Sequence, residues 1–169
     1  MDLSTLANLI NAFAVSAGVI FAATQIRYYR QRRRRDAMVE LVRSFQNPSF
    51  ASAFRRVLSL PDDATTQQIR EKLGGDGEET VYLVALTWES LGVMLYRGEV
   101  TIDLIDDFFS GPILISWRKL NVFVEEDRRA LDRNTVSEWF QWLAERMIER
   151  EKSTPAVPAH IAHRTWKKL

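Results

Sequence analysis

The sequence contains no cysteine and only two histidines, both of which lie near its C-terminal end. The absence of cysteine excludes disulfide bonds, thiolate catalysis and cysteine-type metal sites. With both histidines in the tail, the expected folded core has no histidine to serve as a general acid or base. No convincing alternation of apolar and polar residues occurs either, so the sequence predicts an all-α fold.

Basic residues are unevenly distributed along the chain. Six of the 23 lysines and arginines lie between Arg27 and Arg35, so 17 basic residues remain from Asp36 onward. Of the 22 acidic residues only Asp2 precedes this point, so 21 acidic residues remain. A nucleic-acid-binding domain normally carries a basic face of its own. The acidic balance of the body therefore argues against nucleic acid as a partner.

The segment Leu3–Ile26 predicts a transmembrane helix, because its 24 residues include neither a charge nor a proline. At 1.5 Å per residue it spans roughly 36 Å, more than the roughly 30 Å of a hydrocarbon core. The positive-inside rule then predicts a single-pass inner-membrane protein with a cytoplasmic C-terminal domain. The basic residues that follow are expected to contact anionic lipid headgroups; they are Arg27, Arg30, Arg32, Arg33, Arg34 and Arg35.

This segment has two other interpretations. A cleaved signal peptide carries its positive charge before the apolar run, whereas here Asp2 precedes the run and the arginines follow it. A helix buried in a soluble assembly remains open, because Asn8, Asn11, Thr24 and Gln25 lower the hydrophobicity.

One face of the predicted helix carries small or polar residues at regular spacing. Small residues let two helix backbones approach closely in a membrane, and an intramembrane asparagine can hydrogen-bond to a partner. We therefore expect packing against a second copy or another membrane protein, through Ala7, Asn11, Ala14, Gly18 and Ala22. The alternative is that glycine and alanine are simply common in spanning helices.

Helix-start and helix-stop signals divide the rest of the chain. They predict an anchor at 1–26, an arginine-rich segment at 27–35, a compact bundle of about five to six further helices at 36–151, and a flexible tail at 152–169. Within the bundle, Glu78–Arg97 is expected to be a central helix that is covered on two sides. Gly92 inside it indicates a close helix crossing.

Two further signals predict boundaries in the second half of the bundle. Ser110-Gly111-Pro112 is expected to end one helix and begin the next. Thr135-Val136-Ser137-Glu138 matches the capping box, which predicts that the final helix begins there.

The candidates for chemistry are carboxylates. Glu89 follows Trp88 on the central helix and needs a partner, either in a structural ion pair or in a functional polar site. The candidate partners are Arg43, Arg55, Arg56 and Arg118. Asp103 with Asp106 or Asp107 lies on one helical side, where the carboxylates either recruit a divalent cation or face solvent. His160 and His163 have no adjacent carboxylate, so we expect no metal site and no cofactor.

Three stretches resemble a known family pattern: Phe45–Phe50, Trp88–Gly98 and Trp117–Leu120. They are similar to short bacterial proteins grouped as an uncharacterised domain-of-unknown-function family. Those proteins join one N-terminal spanning helix to an all-helical cytoplasmic domain, and the likeness covers most of residues 1–150. The resemblance implies topology, and it implies no activity.

The sequence favours a membrane-anchored helical module that binds another protein or itself. An alternative is a membrane-tethered enzyme that acts on a small or lipid-derived substrate through Glu89 and nearby arginines. A third hypothesis is a soluble helical domain whose first helix is buried in an oligomer.

Overall fold

The computed structural model of the chain describes residues 2, 13–29, 32, 42–43, 45, 47–155 and 157–167. These residues contain helices and no strand, which confirms the predicted all-α class. Residues 13–29 are helical and are called α1 here. The helices that follow are α2 (Pro48–Leu58), α3 (Thr66–Leu73), α4 (Gly77–Tyr96), α5 (Ile102–Ala130), α6 (Glu138–Ser153) and α7 (Ala159–Ala162).

The chain divides into two compact units, Met1–Arg43 and Ser44–Leu169. Within the residues that the structure describes, no helix combines the length and the apolar character that a membrane crossing requires. This finding contradicts the predicted transmembrane anchor and the single-pass inner-membrane localisation.

The stretch of α1 that the structure describes, residues 13–29, spans about 26 Å at 1.5 Å per residue, which is short of a hydrocarbon core of about 30 Å, and it includes Arg27. Residues 3–12 of the predicted anchor lie outside the described residues.

The second unit is arranged around α4, which packs against α2, α3, α5 and α6. Trp88 on α4 is fully buried, and its indole N–H donates to Ser116 Oγ of α5 at 3.0 Å. Phe45 and Phe50 lie against its ring, with centroid separations of 5.0 and 5.6 Å. Burying an aromatic ring of this size with its polar atom satisfied contributes strongly to stability, so α4 carries the core.

One flank of α4 differs from the prediction of two covered sides. Leu83 and Leu86 are 40% and 60% exposed, and Ser90 is exposed beside them. The opposite stripe, which includes Val84 and Leu91, is buried as predicted.

The chain does not break at Ser110-Gly111-Pro112, because α5 runs continuously from Ile102 to Ala130 with Pro112 inside it. A proline in a helix interior removes one hydrogen bond and usually bends or ends the helix. Here Phe109 and Ile113 are buried on either side of the proline. The packing of these two side chains keeps α5 helical through Ser110-Gly111-Pro112, a sequence that normally ends a helix.

The close crossing predicted at Gly92 is present, and α6 is the helix that crosses there. A Cβ atom on Gly92 would lie 2.5 Å from the Trp139 carbonyl oxygen and 3.0 Å from its carbonyl carbon. Backbone atoms in packed helices cannot move aside as a flexible side chain can. Glycine at position 92 therefore sets how closely α6 approaches α4.

Replacing Gly92 with alanine is expected to lower the free energy of unfolding by about 1–3 kcal/mol, because the added methyl group forces the helices apart. Urea denaturation of the full chain measures this change. Gly111→Ala is the matched control, since a Cβ there meets no atom within 4 Å. Its gain in helix propensity is opposed by the following proline, so we expect a change below about 1 kcal/mol. Equal effects of the two substitutions would contradict the crossing.

Candidate functional site

The first turn of α6 has no cap from its own sequence. The helix begins at Glu138, and Ser137 before it has a φ of +53° and makes no side-chain hydrogen bond to the helix. The capping box predicted from Thr135 is therefore wrong. The backbone N–H groups at the start of a helix have no partner within the helix, so this end needs an acceptor from elsewhere.

Glu89 on α4 supplies that acceptor. The Phe140 N–H donates to Glu89 Oε2 at 2.7 Å, and the Trp139 N–H also interacts with the carboxylate. Trp139 and Phe140 are the second and third residues of α6, the positions that an N-cap side chain normally serves. A carboxylate at this end also interacts favourably with the helix dipole. Glu89 therefore acts as the N-cap of α6 from a neighbouring helix.

The pKa of Glu89 reflects its partial burial. Burial raises the pKa of the carboxyl above its usual value, while the Phe140 and Trp139 N–H groups lower it. The nearby Glu138 raises this pKa and Arg128 lowers it, both by smaller amounts. The pKa of Glu89 is therefore higher in the folded chain than in the unfolded chain, and protonation of Glu89 favours the folded state. This contribution to the free energy of unfolding is fully present below the unfolded-state pKa. It is lost as the pH rises through the folded-state pKa.

Arg128 of α5 holds the turn that leads into α6. Its Nε donates to the Val136 carbonyl oxygen at 2.9 Å, and its Nη1 donates to Gln141 Oε1 at 2.8 Å and Glu125 Oε1 at 2.7 Å. The side chain is only 11% exposed. Charge-assisted hydrogen bonds of this kind are stronger than neutral ones. Arg128 is not predictable as a site residue from the sequence, because nothing in its local pattern separates it from the charged run around it.

The described residues do not place Arg55 or Arg118 in an ion pair with Glu89. Arg55 is exposed on α2, and Arg118 pairs with Asp62 at 3.2 Å. Neither Glu89 nor Arg55 lines the two cavities of about 320 and 520 Å³ in this part of the chain. Arg118 lines the larger one, between α5 and α6. The predicted polar site of Glu89, Arg55 and Arg118 is therefore not assembled in the described contacts.

The acidic pair on α5 also has a basic partner. Arg150 of α6 donates to Asp103 Oδ1 at 2.6 Å and to Asp106 Oδ2 at 2.7 Å. These contacts give the two carboxylates a structural partner between α5 and α6. In the part of the chain that the structure describes, no group of three or more histidines, aspartates or glutamates is placed to hold a metal ion.

Three aromatic rings form a cluster where α4 ends and α6 begins, which we call the aromatic surface; Tyr96 is exposed in it, and Trp139 and Trp142 are half-buried. Tyr96 lies 4.8 Å from Trp139 and 6.3 Å from Trp142, measured between ring centroids. The guanidinium of Arg146 lies 5.8 Å from the Trp142 ring, within the range of a cation–π contact. Tyr96 is 66% exposed. Tryptophan, tyrosine and arginine are the residues that dominate binding energy at protein interfaces.

The residues predicted for helix packing and lipid contact are only partly described. Ala14, Gly18 and Ala22 lie on α1 and are exposed, as are Arg27 and Arg32. The remaining members of the two predicted sets lie outside the described residues; they are Ala7, Asn11, Arg30, Arg33, Arg34 and Arg35.

Substitution of Glu89 distinguishes a capping role from a surface carboxylate. Glu89→Ala leaves the Phe140 N–H without its acceptor and is expected to cost about 1–2 kcal/mol of unfolding free energy. Glu89→Gln keeps a carbonyl oxygen at the same place without a buried charge, so we expect it to remain within about 0.5 kcal/mol of the parent chain at pH 7. Urea denaturation measures both changes.

The control for this pair is Glu79→Ala, because Glu79 is exposed on the same helix. A surface substitution of this kind changes stability by about 0.5 kcal/mol or less. Equal losses in Glu89→Ala and Glu79→Ala would show that the Glu89 carboxylate does not cap α6.

Comparison with known proteins assigns a family to this fold. The model of a family described as a domain of unknown function, DUF4760, matches residues 12–147. No curated protein and no solved structure matches the chain. The matched span covers most of the chain, including α4, the Glu89 cap and the start of α6. The chain therefore belongs to the DUF4760 family.

Proposed function

We propose that the protein is a helical interaction module that associates with itself, and that α1 is its contact element. The observation that carries this proposal is the exposure of α1, where every described residue is exposed. Its large apolar side chains are 54–77% exposed; they are Phe13, Val15, Val19, Ile20, Phe21 and Ile26. Exposed large apolar side chains in this number on one helix are typical of an interaction site.

The arrangement of side chains on α1 favours helix–helix contact along one face. Successive residues turn by about 100°, so Ala14, Gly18 and Ala22 share a face and lie within about 40° of its centre. Val15 and Phe21 flank that face at about 60° on either side. A Cβ atom on Gly18 would meet nothing within 4 Å in the single chain. A second helix can therefore approach the backbone closely and bury the flanking side chains.

The energy available from such a contact is comparable with the cost of association. Burying a large apolar side chain contributes about 1.5–3 kcal/mol. A symmetric contact that covers three such side chains on each copy contributes roughly 9–18 kcal/mol in total. The cost of association is roughly 4–15 kcal/mol. The two ranges overlap, so the contact must include most of the face to hold two copies together.

The alternative of an enzyme that uses Glu89 and nearby arginines stays a prediction. The contacts of Glu89 do not favour it, because its carboxylate accepts from the backbone of α6 rather than facing a described cavity.

Self-association through α1 is tested by Gly18→Leu. The larger side chain fits the single chain, because nothing lies near Gly18, but it fills the space that a second helix needs. We expect the parent chain to form dimers or larger species in sedimentation equilibrium, and Gly18→Leu to raise the dissociation constant by about tenfold or more.

The control is Ala23→Leu, which adds a side chain about 140° around the helix from Gly18 and should leave the dissociation constant unchanged. A monomeric parent chain, or equal dissociation constants for Gly18→Leu and the parent, would contradict the proposal. Circular dichroism of each variant verifies that the helices are intact.

A further inference from the structure

In the part of the chain that the structure describes, the three hydrogen-bond donors of the aromatic surface lack an acceptor that two other aromatic residues of the bundle have. The buried Trp88 indole N–H donates to Ser116 at 3.0 Å, and the half-buried Tyr82 hydroxyl donates to Asp127 at 2.8 Å. The Tyr96 hydroxyl and the indole N–H groups of Trp139 and Trp142 have no acceptor among the described residues, and none of the three is a buried unsatisfied atom. They therefore remain accessible to an acceptor from outside.

A surface of this composition fits a polyproline II segment. Such a segment has no internal hydrogen bonds, so its backbone carbonyl groups can accept from tyrosine and tryptophan donors. Its proline rings pack against aromatic faces, and its ordering costs little entropy because it is already extended. The aromatic surface offers both features, three rings in contact and three unused donors, within one patch.

The chain carries a segment of the matching type in its own tail. Pro155-Ala156-Val157-Pro158 has the P-x-x-P spacing, which is typical of polyproline II ligands. Pro155, Val157 and Pro158 are exposed, and Pro158 has φ −54° and ψ +133°, close to polyproline II geometry.

Charge favours the same pairing. α6, which carries two of the three rings, has four acidic residues, Glu138, Glu145, Glu149 and Glu151, and three basic ones, Arg146, Arg150 and Lys152. Arg146 is paired with Glu149 at 2.8 Å. The sequence from Ser153 to Leu169 has no acidic residue and carries Arg164, Lys167 and Lys168. Opposite charge at the rim steers and orients a bound segment.

The geometry of α6 indicates which copy provides the segment. Trp142 and the end of α6 at Ser153 are 11 residues apart, or about 16 Å along the helix. The four residues Pro155–Pro158 cover only about 12 Å in polyproline II form, and α7 follows them at once. The segment would have to turn back fully along α6 to reach the rings of its own chain, whereas a second copy can present it in either direction.

We propose that the aromatic surface of one copy binds the Pro155–Pro158 segment of a second copy. This inference deepens the proposed self-association by assigning it a contact that does not involve α1, so the two are tested by different variants.

The test is a direct binding measurement with a fluorescein-labelled peptide of residues 153–167. The protein is the full chain with Pro155→Ala and Pro158→Ala, so that its own tail does not compete with the peptide. We expect saturable binding in fluorescence anisotropy, weakened about tenfold or more by Tyr96→Ala, because aromatic anchors carry most of the energy of such contacts. A peptide with both prolines replaced by alanine should also bind about tenfold more weakly.

Leu86→Ala is the matched control, because Leu86 is an exposed apolar residue on the same helix, 60% exposed; it should bind the peptide as the parent does. Equal binding of the proline-free peptide, or unchanged binding by Tyr96→Ala, would overturn the inference. The comparison of the two peptides tests the inference even if Tyr96→Ala is unstable, because both peptides are titrated into the same protein. Repeating the titration with Gly18→Leu should give the same affinity, which separates this contact from that of α1.

Discussion

The contact between α4 and the start of α6 is the constraint on which the rest of the bundle depends. Glu89 and Gly92 lie three residues apart on α4, and therefore on one side of it. The carboxylate of Glu89 accepts from the Phe140 N–H and fixes where α6 begins, while the missing side chain of Gly92 lets the Trp139 backbone come close. Both residues are needed for the packing of α6 on α4, because Glu89 fixes the position at which α6 begins and Gly92 sets the distance between the two helices.

The contact between α4 and the start of α6 also determines which aromatic side chains of α6 lie outside the core. With α6 held at its first turn, Phe140, Leu143 and Met147 point into the core. Trp139 and Trp142 are then directed to the flank, where they meet Tyr96. The same constraint that builds the core thus creates the aromatic surface. We propose that the protein interacts through two surfaces, the aromatic surface and α1, whereas the Glu89 carboxylate accepts from the first turn of α6.

Local signals made part of this fold predictable. Asn47 and Thr65 cap α2 and α3 as their sequences indicate, because a capping side chain and its N–H partner are at most three residues apart. Gly92 was predictable as a crossing point, since a glycine in a helix interior costs stability unless packing requires it. The all-α class follows from helical periodicity, and the apolar stripe of α4 identifies Val84, Trp88 and Leu91 as core.

The remaining features depend on partners that are distant in sequence. The capping box at Thr135 is locally plausible, but the cap of α6 comes from Glu89, some 50 residues earlier, and Arg128 holds the preceding turn. The N-terminus of α3 shows the same principle, because Glu126 of α5 accepts from the Thr66 N–H at 2.8 Å. Pro112 remains helical because of packing on both sides. The apolar composition of the first helix did not distinguish a membrane span from an exposed interaction helix, since both require apolar side chains.

A pH titration of the Trp139 and Phe140 amide signals by NMR tests whether the Glu89 carboxylate caps α6. Protonation of Glu89 changes the hydrogen bonds that both N–H groups make, so we expect the two signals to move together. Their common midpoint should lie above the ordinary glutamate pKa, because burial raises the pKa of Glu89, and the movement should disappear in Glu89→Gln. Amide signals that stay constant through this range, or that titrate unchanged in Glu89→Gln, would contradict this capping role.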